Sequence, residues 1–368
     1  MVTLSYAGAQ SSALTVADNL FAEGKYSQAI DAYKTFDGDK TVDYNIAKAY
    51  VALGNYDKAL EHYKKAVENE PENALYKYDY AKRLMNSKKY EEASELFSEL
   101  INTDYRNPNY HYQKGLVLEK LNDSTAQNRF YSAYELDPTH QKAIYKLARF
   151  HLVKRNHEAS HRYIDKGLES YPNNLELISL KAQNFYHQQY YTNAIPWFER
   201  LIENGERSEM IHELLSVCYS ENSDYEPAIE QRKLALAYNP RNSASLYVIG
   251  SWYQRLGDFA NAEKYMSQAI ALQDVPLNEE YRNLGTVYNR QKKYKEAIKA
   301  FQTALKEDPS DVFTELFLLR TKDEYYEDID TKISLYEAFI KKHNEHRLSD
   351  FAKYRLTELK EEKFNKKD

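Results

Sequence analysis

"GNYDKALEHYKKAVENEPENA", Gly54 to Ala74, sets an aromatic at Tyr56, a small residue at Ala59, an aromatic at Tyr63 and a small residue again at Ala66. The order returns in "GKYSQAIDAYKTF" from Gly24, "KKYEEASELFSEL" from Lys88, "GDFANAEKYMSQAI" from Gly257 and "KKYKEAIKAFQTALKEDP" from Lys292. Steps of three and four residues put these side chains on one stripe of a helix. Where two helices cross closely, the contact point has room for only a methyl group, and larger side chains fill the groove that opens on either side. Ala59 and Ala66 are therefore expected at the crossing, with Tyr56 and Tyr63 as fillers.

Five prolines give the period. Pro71, Pro138, Pro172, Pro240 and Pro309 are separated by 67, 34, 68 and 69 residues, each within one of a multiple of 34. Each closes a helical pattern, as in "YSAYELDP" and "FQTALKEDP", because proline lacks an amide hydrogen and clashes with the preceding turn. Between prolines lie two amphipathic patterns. The first is typified by "VDYNIAKAYVALG" from Val42 and "EEYRNLGTVYNRQ" from Glu279. The second is typified by Tyr294, Ala297, Ile298, Phe301, Ala304 and Leu305. A 34-residue period of paired helices marks a stacked array.

These residues resemble the tetratricopeptide repeat over nearly the whole chain, with units beginning near Gln10, Lys40, Ala74, Pro108, Gln141, Leu175, Glu209, Ser243 and Asn278. The expected fold is all-α, a right-handed superhelical solenoid of stacked antiparallel helix pairs. Residues 10–311 hold about nine repeats, 312–347 a divergent tenth pair from Val312, and 348–368 a capping helix and polar tail. Leu348, Ala352, Arg355, Leu356 and Leu359 form the apolar spacing of that cap, whose outer face is expected to be polar. The first unit is about four residues short, the fourth loses one near "LNDSTAQ" and the eighth gains one before Pro276. Pro196 inside "YTNAIPWFERLI" predicts a kink or a late helix start.

Composition narrows the function. Ten Gly and nine Pro in 368 residues leave few turn-makers for a sheet-rich fold, and 35 Tyr at helical spacings suggest packing. A net charge of -6 opposes nucleic-acid binding, so an RNA-binding helical repeat is a remote alternative and no nucleic-acid partner is expected. A lone Cys218 excludes a disulfide framework or a four-thiol zinc site, and reads as a small buried hydrophobe. No stretch is long and apolar enough for a transmembrane segment. Ala7, Gly8, Ala9 and Gln10 resemble a signal cleavage site without the charged and apolar regions that precede one. Residues 1–9 are read as the remnant of an export signal, which would favour an exported or periplasmic protein; a frayed terminus in a cytoplasmic one is the alternative.

One motif match carries chemistry. "HEASH", His157 to His161, fits H-E-x-x-H, which on a helix sets two imidazoles on one face for zinc with Glu158 placed to activate water; His151 lies six residues earlier. A zinc-dependent hydrolase is the alternative reading. The packing stripe accounts for the same residues, since His157 stands where Tyr56 and Tyr294 stand and His161 where Leu60 and Ile298 stand. No phosphate loop, nucleophile elbow or kinase set occurs. No enzyme, metal or cofactor is expected.

The resemblance implies a ligand surface on the concave side, lined by the fifth and ninth residues of each unit. In units two to five the fifth residue is Tyr44, Tyr78, Tyr112 and Tyr145; the ninth brings Lys48, Lys82 and Arg149, with Leu116 between them. Tyrosines add rigid contact area and the cations attract carboxylates. The reading is a protein-interaction scaffold holding an extended, somewhat acidic polypeptide or partner protein, with the oligomeric state left open. No unit pairs a fifth-position lysine with a ninth-position asparagine, which disfavours recognition of the acidic tail of cytosolic chaperones.

Overall fold

The structure, a computed structural model, describes residues 14–36, 41–272 and 277–365, and every regular element among them is a helix. In order these are α1 (14–22), α2 (Tyr26–Tyr33), α3 (Val42–Ala52), α4 (Tyr56–Asn69), α5 (Ala74–Asn86), α6 (Tyr90–Thr103) and α7 (Pro108–Lys120). Then come α8 (Ala126–Leu136), α9 (Gln141–Val153), α10 (His157–Ser170), α11 (Leu175–His187), α12 (Tyr191–Glu203), α13 (Glu209–Glu221) and α14 (Tyr225–Tyr238). The last are α15 (Ser243–Leu256), α16 (Phe259–Ala271), α17 (Asn278–Arg290), α18 (Tyr294–Glu307), α19 (Val312–Tyr325), α20 (Ile329–Lys342) and α21 (Ser349–Asn365). The reading of Ala7 to Gln10 as a cleavage site falls outside the described residues.

Local chemistry starts and stops these helices. Asn73 accepts from the amides of Leu75 and Tyr76 at the start of α5, and Asn107, Asn174, Asn242 and Asp311 cap α7, α11, α15 and α19 in the same way. First and second helices are joined by a tight left-handed turn. Gly54 (φ 74°) donates to Val51 O at 3.0 Å and Asn55 to Tyr50 O at 2.9 Å, so both ends of a Schellman closure are made. Lys88, Asn122, Arg155, Gln189, Ser223 and Lys292 take the same positive φ at the same place in later pairs.

The chain divides into two compact units, Met1–Asn184 and Phe185–Asp368. In the first, Ala59 and Ala66 are fully buried and Tyr63 nearly so, among Ile46, Ala47, Tyr80, Ala81, Ala93 and Phe97. Tyr56 departs from expectation. It is 51% exposed, because as the first residue of α4 it lies beyond the crossing, and the Arg83 guanidinium covers its ring at 5.1 Å. Smaller clusters continue the core through Phe130 and Leu147, then Ile144, Ile164 and Leu177.

In the second unit the core runs through Ala228 and Ile249, then Ala262 and Met266, then Ala297 and Phe301. Cys218 is fully buried, which pushes its thiol up to about 12. Helix α12 begins at Tyr191, five residues before Pro196, so a late start is excluded. The unit ends on a cluster of Leu316, Leu319, Tyr336, Phe339, Leu348, Ala352 and Leu359 that seats α21 on α19 and α20. The outer face of this helix exposes Asp350, Lys353, Thr357, Lys360, Glu361 and Glu362, but three rings stand among them. Phe351, Tyr354 and Phe364 are 70%, 71% and 69% exposed, because α21 spends its small and aliphatic residues on the inner face and leaves rings outside.

Candidate functional site

In the first unit the first helices of successive pairs, α3, α5, α7 and α9, touch one another directly. The Tyr44 hydroxyl of α3 donates to Asp79 Oδ2 of α5 at 2.6 Å, and Tyr44 stacks on Tyr76 at 4.2 Å. Gln113 Nε2 of α7 donates to the Tyr78 hydroxyl of α5 at 3.4 Å. Tyr112 of α7 packs against His140, the cap of α9, at 5.2 Å, and Lys146 of α9 pairs with Glu119 of α7 at 2.5 Å. The pattern recurs in the second unit, where Asn283 of α17 donates to the Tyr247 hydroxyl of α15.

This geometry divides the seven groove candidates. Tyr44 and Tyr112 are buried; burial pushes the Tyr112 hydroxyl up to about 12, and burial with the Asp79 carboxylate raises that of Tyr44. Their rings hold neighbouring helices together. Tyr78 is half-buried and its hydroxyl is raised by burial, while Tyr145 is half-buried against the Ile144 and Leu177 cluster. The cations stand further out. Lys48 is exposed, with Nζ 5.4 Å from the Tyr44 ring and 5.5 Å from Phe21; Lys82 Nζ lies 5.3 Å from the Tyr78 ring; Arg149 is exposed on α9. None of the three forms an ion pair among the described residues. Asp79 and Gln113, which bind the preceding tyrosine, were not foreseen. Their signal in the sequence is a polar residue directly after the fifth position of the unit.

The histidines at the zinc-like motif have packing partners. His157 Nδ1 donates to Asn184 Oδ1 at 2.5 Å, and Asn184 Nδ2 donates back to the His157 carbonyl at 3.0 Å. His151 Nε2 and the Tyr131 hydroxyl share a bond of 2.7 Å, and the His151 ring stacks on Tyr163 at 5.5 Å. Burial lowers the pKa of both His151 and His161. Among the described residues no group of three or more His, Cys, Asp or Glu is arranged to hold a metal ion. No helix among them is long and apolar enough to cross a membrane.

A different substitution inside the packing stripe is Lys114 of α7. Its Nζ donates to the Ser94 carbonyl at 2.7 Å, to Ser94 Oγ at 2.8 Å and to Ser98 Oγ at 2.5 Å, all on α6. Burial lowers its pKa, and the three oxygens replace the water that the ammonium gives up.

Comparison with known proteins agrees with the helical pattern. Residues 50–115, 243–275 and 279–311 each match a model of the tetratricopeptide repeat. A TPR repeat-containing protein of Methanocaldococcus jannaschii is 26% identical over 246 residues, covering 64% of this chain and 41% of its own length. The stress-induced-phosphoprotein 1 of Caenorhabditis elegans is 23% identical over 206 residues, covering 51% of this chain and 60% of its own. The chain thus spans about two fifths to three fifths of the length of these curated relatives. Among solved structures, the C-terminal part of a TPR repeat-containing protein from Cytophaga hutchinsonii superposes with a TM-score of 0.50 at 16% identity, over 66% of this chain and 99% of that one. Matched repeats in each unit, one helix-pair pattern in both and a shared fold agree: the chain carries tetratricopeptide repeats.

Proposed function

We propose that the chain is a non-catalytic protein-interaction scaffold, and that its first unit captures an extended, acidic polypeptide along α3, α5, α7 and α9. The observation that carries this reading is a set of three cations, Lys48, Lys82 and Arg149, at one register position of these helices and without an ion-pair partner among the described residues. Lys48 and Lys82 lie over tyrosine rings, which orients each ammonium while leaving its charge unneutralised. A peptide carboxylate offers such a group a partner, and its attraction falls with salt. Tyr78 and Tyr145, each half-buried, supply apolar contact between the cations. Tyr44 and Tyr112 belong to the scaffold beneath.

The test is fluorescence polarisation with a labelled peptide of alternating Glu and Ala. The parent chain is expected to bind it in low salt. Changing Lys48, Lys82 and Arg149 together to Glu should weaken binding by about ten-fold or more, since like charges now face each other. Equal affinity in parent and triple variant would remove the proposal.

A further inference from the structure

We propose that the junction of α7 and α9 is an acid-sensitive latch: His140, which caps α9 and ties it to Asn109 of α7, and His111 beside Tyr105 hold the junction closed while both imidazoles are neutral. Helices α5, α7, α11 and α15 are capped at the same place by Asn73, Asn107, Asn174 and Asn242, whose amide oxygens do not titrate. Helix α9 puts an imidazole there instead.

The hydrogen bonds of His140 fix its tautomer. Its Nδ1 accepts from the Ala143 amide at 3.1 Å, so Nδ1 carries no proton and Nε2 carries one, which it donates to Asn109 Oδ1 at 3.2 Å. The Ala143 amide also reaches the His140 carbonyl at 3.0 Å. Protonation at Nδ1 would set one donor against another and place a positive charge at a helix N-terminus, where the helix dipole opposes it. Burial already holds this imidazole below its ordinary value. Its own carbonyl and Asp137 of the preceding turn favour the proton, Lys142 of α9 opposes it, and from α7 the Tyr112 ring packs on it at 5.2 Å.

His111 lies two residues beyond Asn109 and is fully buried. Its Nε2 donates to the Tyr105 carbonyl at 2.8 Å, and the Tyr105 ring meets it edge-on at 4.8 Å. The other nitrogen, Nδ1, is buried and meets no hydrogen-bond partner among the described residues. A proton there would be a buried charge without an acceptor, which is costly. Burial lowers the pKa of His111; the Tyr105 carbonyl raises it, and Arg129 of α8 lowers it further. For both histidines the folded value is depressed. Their contribution to stability is therefore complete above the ordinary histidine value of about 6.5 and is lost as pH falls below it and through the folded value. Tyr112 and Arg149 stand on these two helices, so acid release of an acidic polypeptide follows, a consequence that rests on the proposed function.

The experiment is hydrogen exchange of the full chain followed by mass spectrometry at about pH 7.5 and about pH 5, on either side of the histidine range, with rates corrected for intrinsic exchange. It needs no peptide, so it tests the latch even if capture of a polypeptide fails. In the parent, protection of α9 should fall in acid by about five-fold or more, the worth of one capping bond, relative to α15 to α18, which contain no histidine. His140→Asn restores a cap that does not titrate and should lose clearly less, whereas His140→Ala should be poorly protected at both values. Adding His111→Gln, whose amide can donate to the Tyr105 carbonyl, should remove the rest. His151, His157 and His161 remain in every variant, so any loss they cause survives in all of them. An unchanged parent, or the same acid loss in His140→Asn as in the parent, overturns the proposal; that comparison stands by itself if the buried His111→Gln change prevents folding, which circular dichroism checks.

Discussion

Space for a single methyl group decides much of this fold, and Gly250 shows how strictly. A Cβ added there would lie 2.7 Å from Met266 Cγ, and also 3.1 Å from the Met266 amide nitrogen and 3.2 Å from the Ala262 carbonyl oxygen. Backbone atoms cannot rotate away, so Gly250→Ala should destabilise the second unit by about 1–3 kcal/mol in urea unfolding. At Gly285 the crowding comes only from the Phe301 ring, at 2.7 Å, and Gly285→Ala should cost less because a ring can tilt. The small-residue code was legible in the sequence for this reason: Ala59 and Ala66 are fully buried, as their spacing demanded. Tyr56 was misread because the same period also covers the first residue of a helix, where the ring already clears the crossing. Among the candidate ligand residues, type and spacing could not separate the buried Tyr44 from the exposed Lys48, since the separation depends on Asp79 in the next pair.

Helix pairs are closed by a residue with positive φ, and only some of those residues are glycine. Gly54 and Gly257 accept the conformation freely, whereas Lys88, Arg155, Gln189 and Lys292 carry a Cβ into it. The left-handed region costs an L residue roughly 1–2 kcal/mol, partly offset by the greater chain entropy that glycine loses on folding. Lys292→Gly should therefore stabilise by about 0.5–1 kcal/mol, read as a higher melting temperature, and Gly54→Ala should destabilise by a similar or larger amount. No atom lies within 4 Å of a Cβ built on Gly54, so the effect there is one of backbone alone. Helix type and approximate extent were readable from prolines and apolar periodicity. The left-handed turns were not, because six different residue types occupy them and no local composition marks the site. The end of the chain was only half readable. Apolar residues at helical spacing identified the inner face of α21, while the same spacing assigned no place to Phe351 and Tyr354, whose rings lie outside.

At the scale of the molecule, stability should be distributed in blocks, since stacked pairs contribute their own energy and that of their immediate neighbours. Asp323 gives a way to perturb one block selectively. Burial by itself would raise its pKa, but the hydrogen bonds from Arg355, Tyr336 and Lys332 outweigh it and the folded value is lowered. A group depressed on folding contributes stability above its unfolded pKa, near 4, and that contribution disappears as pH falls through the lower folded value. Asp323→Asn should remove this acid sensitivity and cost roughly 1–3 kcal/mol at neutral pH, by replacing the buried countercharge of Arg355 and Lys332 with a neutral amide. In hydrogen exchange followed by mass spectrometry, the loss of protection should fall on α19, α20 and α21, which meet in one cluster around Tyr336 and Leu359. Amides of α3 to α6, in the other compact unit, should exchange at the parental rate. Uniform loss of protection along the whole chain would instead mean that both units unfold as one cooperative block.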